Sequence, residues 1–119
     1  VLTCDGFSSL KLLSIADYVI TDYSGIAIEA AIINKKTLYY IFDYETYKVN
    51  TGLNIDLYKE MPGCCFEKAD DLIKFIENDN YNMDTLVKYK NKYIDVKDGS
   101  STKKIVELIL KCLRKWEYE

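Results

Sequence analysis

Apolar positions fall in short blocks cut by polar turns, and the spacing inside the blocks changes along the chain. Ser8-Ser9 precede Leu10, Leu12, Leu13 and Ile15, the pattern of a short capped helix with one apolar face. Tyr18-Val19-Ile20 is a compact apolar run that predicts a buried strand, and it stops at the polar turn Thr21-Asp22-Tyr23-Ser24-Gly25. Ile26, Ala27, Ile28, Ala30, Ala31, Ile32 and Ile33 are apolar nearly all round, which predicts a helix sunk in a sheet–helix interface and ended by Asn34-Lys35-Lys36. Thr37-Leu38-Tyr39-Tyr40-Ile41-Phe42, β-branched and aromatic, reads as a second buried strand. Strand, helix and strand at this spacing make a parallel crossover unit, so the expected fold class is α/β, a Rossmann-like parallel sheet flanked by helices.

Beyond residue 43 the periodicity fades until residue 61, and the segment is crowded with Tyr44, Tyr47, Asn50, Thr51, Gly52, Asn54 and Tyr58. It reads as a long loop after a strand's carboxyl end, where α/β sheets bind ligands. Pro62-Gly63 breaks the chain before Cys64-Cys65-Phe66, a short edge strand. Three amphipathic packing helices are expected after it: 69–77 with Leu72, Ile73 and Ile76; 83–94 with Leu86, Val87, Tyr89 and Tyr93; 101–116 with Ile105, Leu108, Ile109, Cys112 and Leu113. Asp98-Gly99-Ser100-Ser101 supplies the turn and N-cap of the last. There is no internal repeat.

Composition narrows the setting. At 119 residues and 49% hydrophobic, the chain suits one compact domain or a piece of one. Because it opens on Val1-Leu2-Thr3, which resembles the tail of a strand, residues 1–119 are expected to be a single partial domain of a larger protein. A net charge of -3 gives no pull toward nucleic acid. No apolar run approaches the ~20 residues that span a bilayer, and the start lacks signal-peptide character. Cys4, Cys64, Cys65 and Cys112 have neither zinc-site spacing nor a histidine to complete a site, so reduced thiols, a cytosolic habit and no metal are expected. The chain contains no histidine, which removes every Ser-His-Asp or Cys-His arrangement, and no catalytic residue is assigned.

The turn at 21–25 carries the candidate chemistry. A helix start attracts anions because its first N–H groups lack partners and the dipole is positive there. Gly25 lets the backbone approach a phosphate and Ser24 adds a hydroxyl, and Thr21 and Asp22 of the same turn are counted with them as candidate nucleotide-binding residues. Glu29, one turn on, is placed to accept both hydroxyls of a ribose, and phosphate plus ribose means a nucleotide. The plainer alternative is that Asp22 or Ser24 only caps the helix and Glu29 is a surface acid.

The ordered set Ile20-Thr21-Asp22-Tyr23-Ser24-Gly25-Ile26, Glu29, Lys36-Thr37-Leu38-Tyr39-Tyr40, Phe42-Asp43-Tyr44-Glu45-Thr46-Tyr47 and Pro62-Gly63 resembles the C-terminal nucleotide-binding domain of the CDP-glycerol glycerophosphotransferase family. Those are the teichoic-acid polymerases and primases of Gram-positive cell walls, on the two-Rossmann GT-B glycosyltransferase fold. The resemblance implies a donor, CDP-glycerol or a CDP-ribitol relative, held through its pyrophosphate at Ser24 and Gly25 and its ribose at Glu29. It implies transfer of polyol phosphate to a growing polymer or lipid-linked primer, at the inner face of the cell membrane, with catalytic histidines upstream of this segment and no separate cofactor. Gly25 stands for the family's second serine, Glu29 for its aspartate, and Thr51-Gly52 for an R-G pair. The first two changes also resemble UDP-sugar epimerases and transferases, so a UDP donor stays open, as does a non-catalytic α/β interaction module. Tyr44 and Tyr47 are read as aromatic packing before base stacking, and Lys103 and Lys104 as solvated charges. A receiver-domain role for Asp22 lacks the further acids that Mg²⁺ needs.

Overall fold

The computed structural model describes residues 5–95 and 98–116; the readings on Val1-Leu2-Thr3 and Cys4 lie outside them. The order is α1 (Ser9–Ile15), β1 (Tyr18–Thr21), α2 (Ile26–Ile32), β2 (Lys36–Tyr40), α3 (Tyr44–Asn50), α4 (Leu57–Glu60), β3 (Cys65–Phe66), α5 (Ala69–Asn78), α6 (Met83–Tyr93) and α7 (Ser101–Trp116). The strands form one parallel sheet in the order β1-β2-β3, with Tyr18 opposite Lys36 and Tyr39 opposite Cys65. β2 lies in the middle, so Thr37, Leu38 and Tyr39 are buried on both faces, as expected of a central parallel strand. Ala27, Ala30 and Ala31 turn the small face of α2 toward the sheet, and Leu72 of α5 with Leu86 and Tyr89 of α6 complete the core.

The amino-terminal edge of the sheet is tied down. The Tyr18 hydroxyl donates to Asp79 Oδ1 at 2.5 Å, and Lys36 Nζ reaches the same oxygen at 2.6 Å while lying 4.9 Å over the Tyr18 ring. The two donors hold the Asp79 carboxyl below its ordinary range, the lysine contributing most. Lysines close two helix ends: Lys35 Nζ donates to the carbonyls of Ser14 and Ala16, and Lys90 Nζ to that of Ile32 and to Asn34 Oδ1.

Several expectations need correction. Among the described residues β1 is paired on one side only; Val19 is buried but Ile20 is 51% exposed, where the sequence suggested a strand buried throughout. α2 is not enclosed all round: its alanines meet the sheet, α6 meets one flank, and Ile28, Ile32 and Ile33 face outward. β2 ends at Tyr40, after which Ile41 remains buried and Phe42 is exposed. The supposed loop over 43–61 holds α3 and α4, and on α6 Thr85 takes the buried position assigned to Val87. α7 is helical as expected, but Ile105, Leu108, Ile109 and Leu113 are all more than half exposed, and nothing among the described residues covers that face.

Cys64 and Cys65 behave as packing groups. Cys64 is buried, and Cys65 is half-buried with its thiol directed at the Met61 carbonyl; both are free thiols, as is the exposed Cys112. Burial raises both adjacent thiols, that of Cys65 to about 12, which leaves them protonated and unreactive at neutral pH. Among the described residues no cluster of acids and cysteines suits a metal ion, and no helix is long and apolar enough to cross a membrane.

Candidate functional site

The turn from β1 into α2 sits at the carboxyl edge of the sheet, beside a cavity of about 250 Å³ whose walls include Asp22, Tyr23, Ser24, Tyr47, Gly52 and Asn54. Asp22 Oδ1 accepts from the Ser24 N–H at 3.0 Å, which folds the turn back on itself. Ser24 Oγ accepts from the Ile26 N–H at a long 3.4 Å, and the Ala27 N–H reaches the Ser24 carbonyl at the same distance. Among the described residues the Gly25 N–H has no protein acceptor. Asp22 thus occupies one amide of the turn as a cap does, while the Gly25 amide is left without a protein partner among the described residues.

Gly25 precedes α2 with φ -62° and ψ -14°, ordinary right-handed helical values, and a Cβ built there meets nothing within 4 Å. Among the described residues that Cβ position is open space. The glycine is not required by the backbone, so Gly25→Ala is expected to leave stability unchanged or to raise it by about 0.4–1 kcal/mol through the unfolded chain. Thermal melting checks this, and a clear loss would reveal a steric demand that the fold does not display.

The far wall comes from the segment that looked unstructured. Tyr44 anchors α3 in the core and meets Tyr58 edge-on, with ring centroids 5.0 Å apart. Tyr47 stacks on Tyr23 at 3.7 Å and 15°, while the Tyr23 hydroxyl donates to Asp43 Oδ1 at 3.0 Å. Desolvation, then that carboxylate, push the Tyr23 phenol well above its ordinary value, so it stays a donor. α3 stops where Gly52, at φ 82°, returns its N–H to the Tyr47 carbonyl at 3.2 Å. Leu53, Asn54 and Ile55 are thereby laid along the cavity, and Asp56 starts α4 by accepting from the Lys59 N–H.

Of the residues singled out in the sequence, Asp22 and Ser24 line this cavity, and Gly25 lies beside them at the helix start. Thr21 and Asp22 also border a shallower groove of about 400 Å³ with Ile20, Tyr40 and Phe42. Glu29 is exposed one turn into α2 and lines neither space. Tyr44 and Tyr47 serve as packing, as their abundance suggested, and Lys103 is exposed and paired along its own helix with Glu107. Of the wall residues, Gly52 and Asn54 belong to the segment expected on the ligand side of the sheet, whereas Leu53 and Ile55 were not singled out; the glycine five residues after the Tyr44-x-x-Tyr47 pair is the signal of a short helix and its stop.

Known proteins are similar to this chain. A family model described as CDP-Glycerol:Poly(glycerophosphate) glycerophosphotransferase matches residues 2–111. The teichoic acid poly(ribitol-phosphate) polymerase of Bacillus spizizenii is 28% identical over 108 residues, 87% of this chain and 17% of that protein. The teichoic acid glycerol-phosphate primase of Staphylococcus aureus is 36% identical over 87 residues, 72% of this chain and 23% of that protein. The solved structure of the wall teichoic acid polymerase TagF superposes with a TM-score of 0.67 at 22% identity, covering 92% of this chain and 28% of that one. This likeness bears out the parallel α/β architecture of GT-B type expected from the sequence, while the chain spans about a fifth of the length of the curated relatives above. With its model matched over nearly the whole length, the chain belongs to the CDP-glycerol:poly(glycerophosphate) glycerophosphotransferase family.

Proposed function

We propose that this chain forms the donor-binding layer of an enzyme that transfers polyol phosphate from CDP-glycerol, or a CDP-ribitol relative, to a teichoic-acid-type polymer or lipid-linked primer. The carrying observation is the helix start beside the cavity at the sheet's carboxyl edge: Ser24 lines that cavity, a Cβ at Gly25 would meet nothing within 4 Å, and the Gly25 N–H has no acceptor among the described residues. In this reading the two groups hold the donor diphosphate, Thr21 and Asp22 keep the turn in shape, and Glu29 takes the ribose hydroxyls. An acceptor hydroxyl attacks the phosphorus bearing the polyol, the new P–O bond forms as the P–O bond to CMP breaks, and the acceptor proton goes to a base. That base is not a histidine of this chain, which has none. Donors fixed on the departing phosphate favour the step because negative charge builds there. The enzyme would work at the inner face of the cell membrane, and the donor is its substrate, with no separate cofactor.

Titration calorimetry of the protein with CDP-glycerol, CDP-ribitol and UDP-sugars tests the reading. A CDP-polyol is expected to bind at least tenfold more tightly than any UDP-sugar. Preference for a UDP-sugar would move the protein to the transferase class that Gly25 and Glu29 also resemble, and no binding of either would leave an interaction module.

A further inference from the structure

A second cleft, of about 310 Å³, lies between α4 and α6 and is walled by Lys59, Glu60, Thr85, Lys88, Tyr89 and Lys92. Three lysines converge there against one carboxylate, in a chain whose net charge is -3. The lysines of α6 have separable tasks. Lys90 closes the end of α2, and Lys92 pairs with Glu60, cancelling the one acid in the wall. Lys59 and Lys88 form no ion pair among the described residues, although the Lys59 charge also acts on the neighbouring Glu60. Lys88 and Lys92 also stand four apart on one helix, a spacing at which like charges repel. Complementing the dipole at the end of α6 accounts for lysines on that helix, but it does not bring Lys59 of another helix to the same cleft. α4 separates the two spaces: Leu57 borders the cavity beside Ser24, whereas Lys59 and Glu60 border the lysine cleft.

We propose that the cleft between α4 and α6 binds a phosphodiester of the polyol-phosphate acceptor through Lys59 and Lys88, holding the growing chain next to the donor cavity. The assignment rests on the transferase reading above, which supplies an acceptor with one negative charge per repeat. Lys92 is committed to Glu60 and sets the rim; the Thr85 and Tyr89 side chains add polar wall to a cleft at the small end of the ~300–1,000 Å³ range of ligand sites. Exposed lysines make such a site weak and salt-sensitive, as suits a polymer that must advance after each addition.

The test titrates the protein with a short synthetic poly(glycerol phosphate), with inorganic phosphate, with uncharged glycerol and, separately, with CDP-glycerol. In K59Q/K88Q the oligomer is expected to bind about tenfold more weakly at low salt, with CDP-glycerol affinity and melting temperature unchanged, and K59R/K88R is expected to bind it like the parent. Should the double variant destabilise the fold, K88Q alone carries the comparison. Unchanged oligomer affinity overturns the proposal, as does an oligomer that binds no better than inorganic phosphate. If CDP-glycerol fails to bind the parent while the variant loses the oligomer, the donor reading falls and the phosphodiester site stands.

Discussion

Leu38→Ala is expected to destabilise the fold by about 3 kcal/mol, within the 2–5 kcal/mol typical of emptied leucine sites, and to lower the melting temperature by roughly 10 °C or more. Leu38 is fully buried at the middle of the central strand, and the elements packed on β2 cannot close over the void without breaking the ladder to β1. Its register partner provides the contrast. Ile20, directly opposite on β1, is 51% exposed, so Ile20→Ala is expected to cost about 1 kcal/mol or less. Denaturant midpoints of the two variants separate the cases, and equal losses would mean that the outer face of β1 is covered in the intact protein. The same comparison bears on the site, because Thr21 and Asp22 continue the strand whose position Leu38 secures through β2.

The sheet and its crossover were legible because their signals are local. The block 18–20, the alanine-bearing helix and the block 37–42 each announce their own period, and pairing them in parallel follows from the length of the connection. What stayed hidden depends on partners far away in sequence. Burial of β1 and α2 could not be graded, since an apolar run looks the same on an edge as in the middle of a sheet. α7 shows the same limit, because amphipathic spacing reports a face and not what lies against it. α4 was missed because four residues are too few for a helical period to repeat, and α3, as long as α1 and α2, because Tyr, Thr, Val and Asn are weak helix formers and mark no repeated apolar face. The turn itself was legible to the residue, whereas its opposite wall was not: Tyr47 on Tyr23 and Tyr23 on Asp43 span 24 and 20 positions. Those contacts turn a strand end into a cavity, and no spacing within the turn encodes them.

Ser24→Ala combined with Glu29→Ala is expected to weaken donor binding by about two orders of magnitude, read as a raised donor KM or dissociation constant in the enzyme that carries this chain. A hydrogen bond to a charged partner contributes about 1.5–3 kcal/mol, and the lower end applies at both positions because each side chain is exposed. For the same reason neither substitution is expected to change stability by more than about 0.5 kcal/mol, so a kinetic loss would not be unfolding in disguise. The single variants divide the site chemically. Ser24→Ala is expected to weaken every ligand that carries the diphosphate, inorganic pyrophosphate included. Glu29→Ala is expected to weaken CDP-glycerol more than its 2′-deoxyribose analogue, since that analogue has already lost one of the two hydroxyls the carboxylate would hold. That cycle isolates the ribose contact from any general effect of charge, because the losses from removing the acid and from removing the hydroxyl should overlap and not add in full. Unchanged donor kinetics in the double variant would remove the nucleotide from this turn and leave Asp22 and Ser24 as the cap of a short helix.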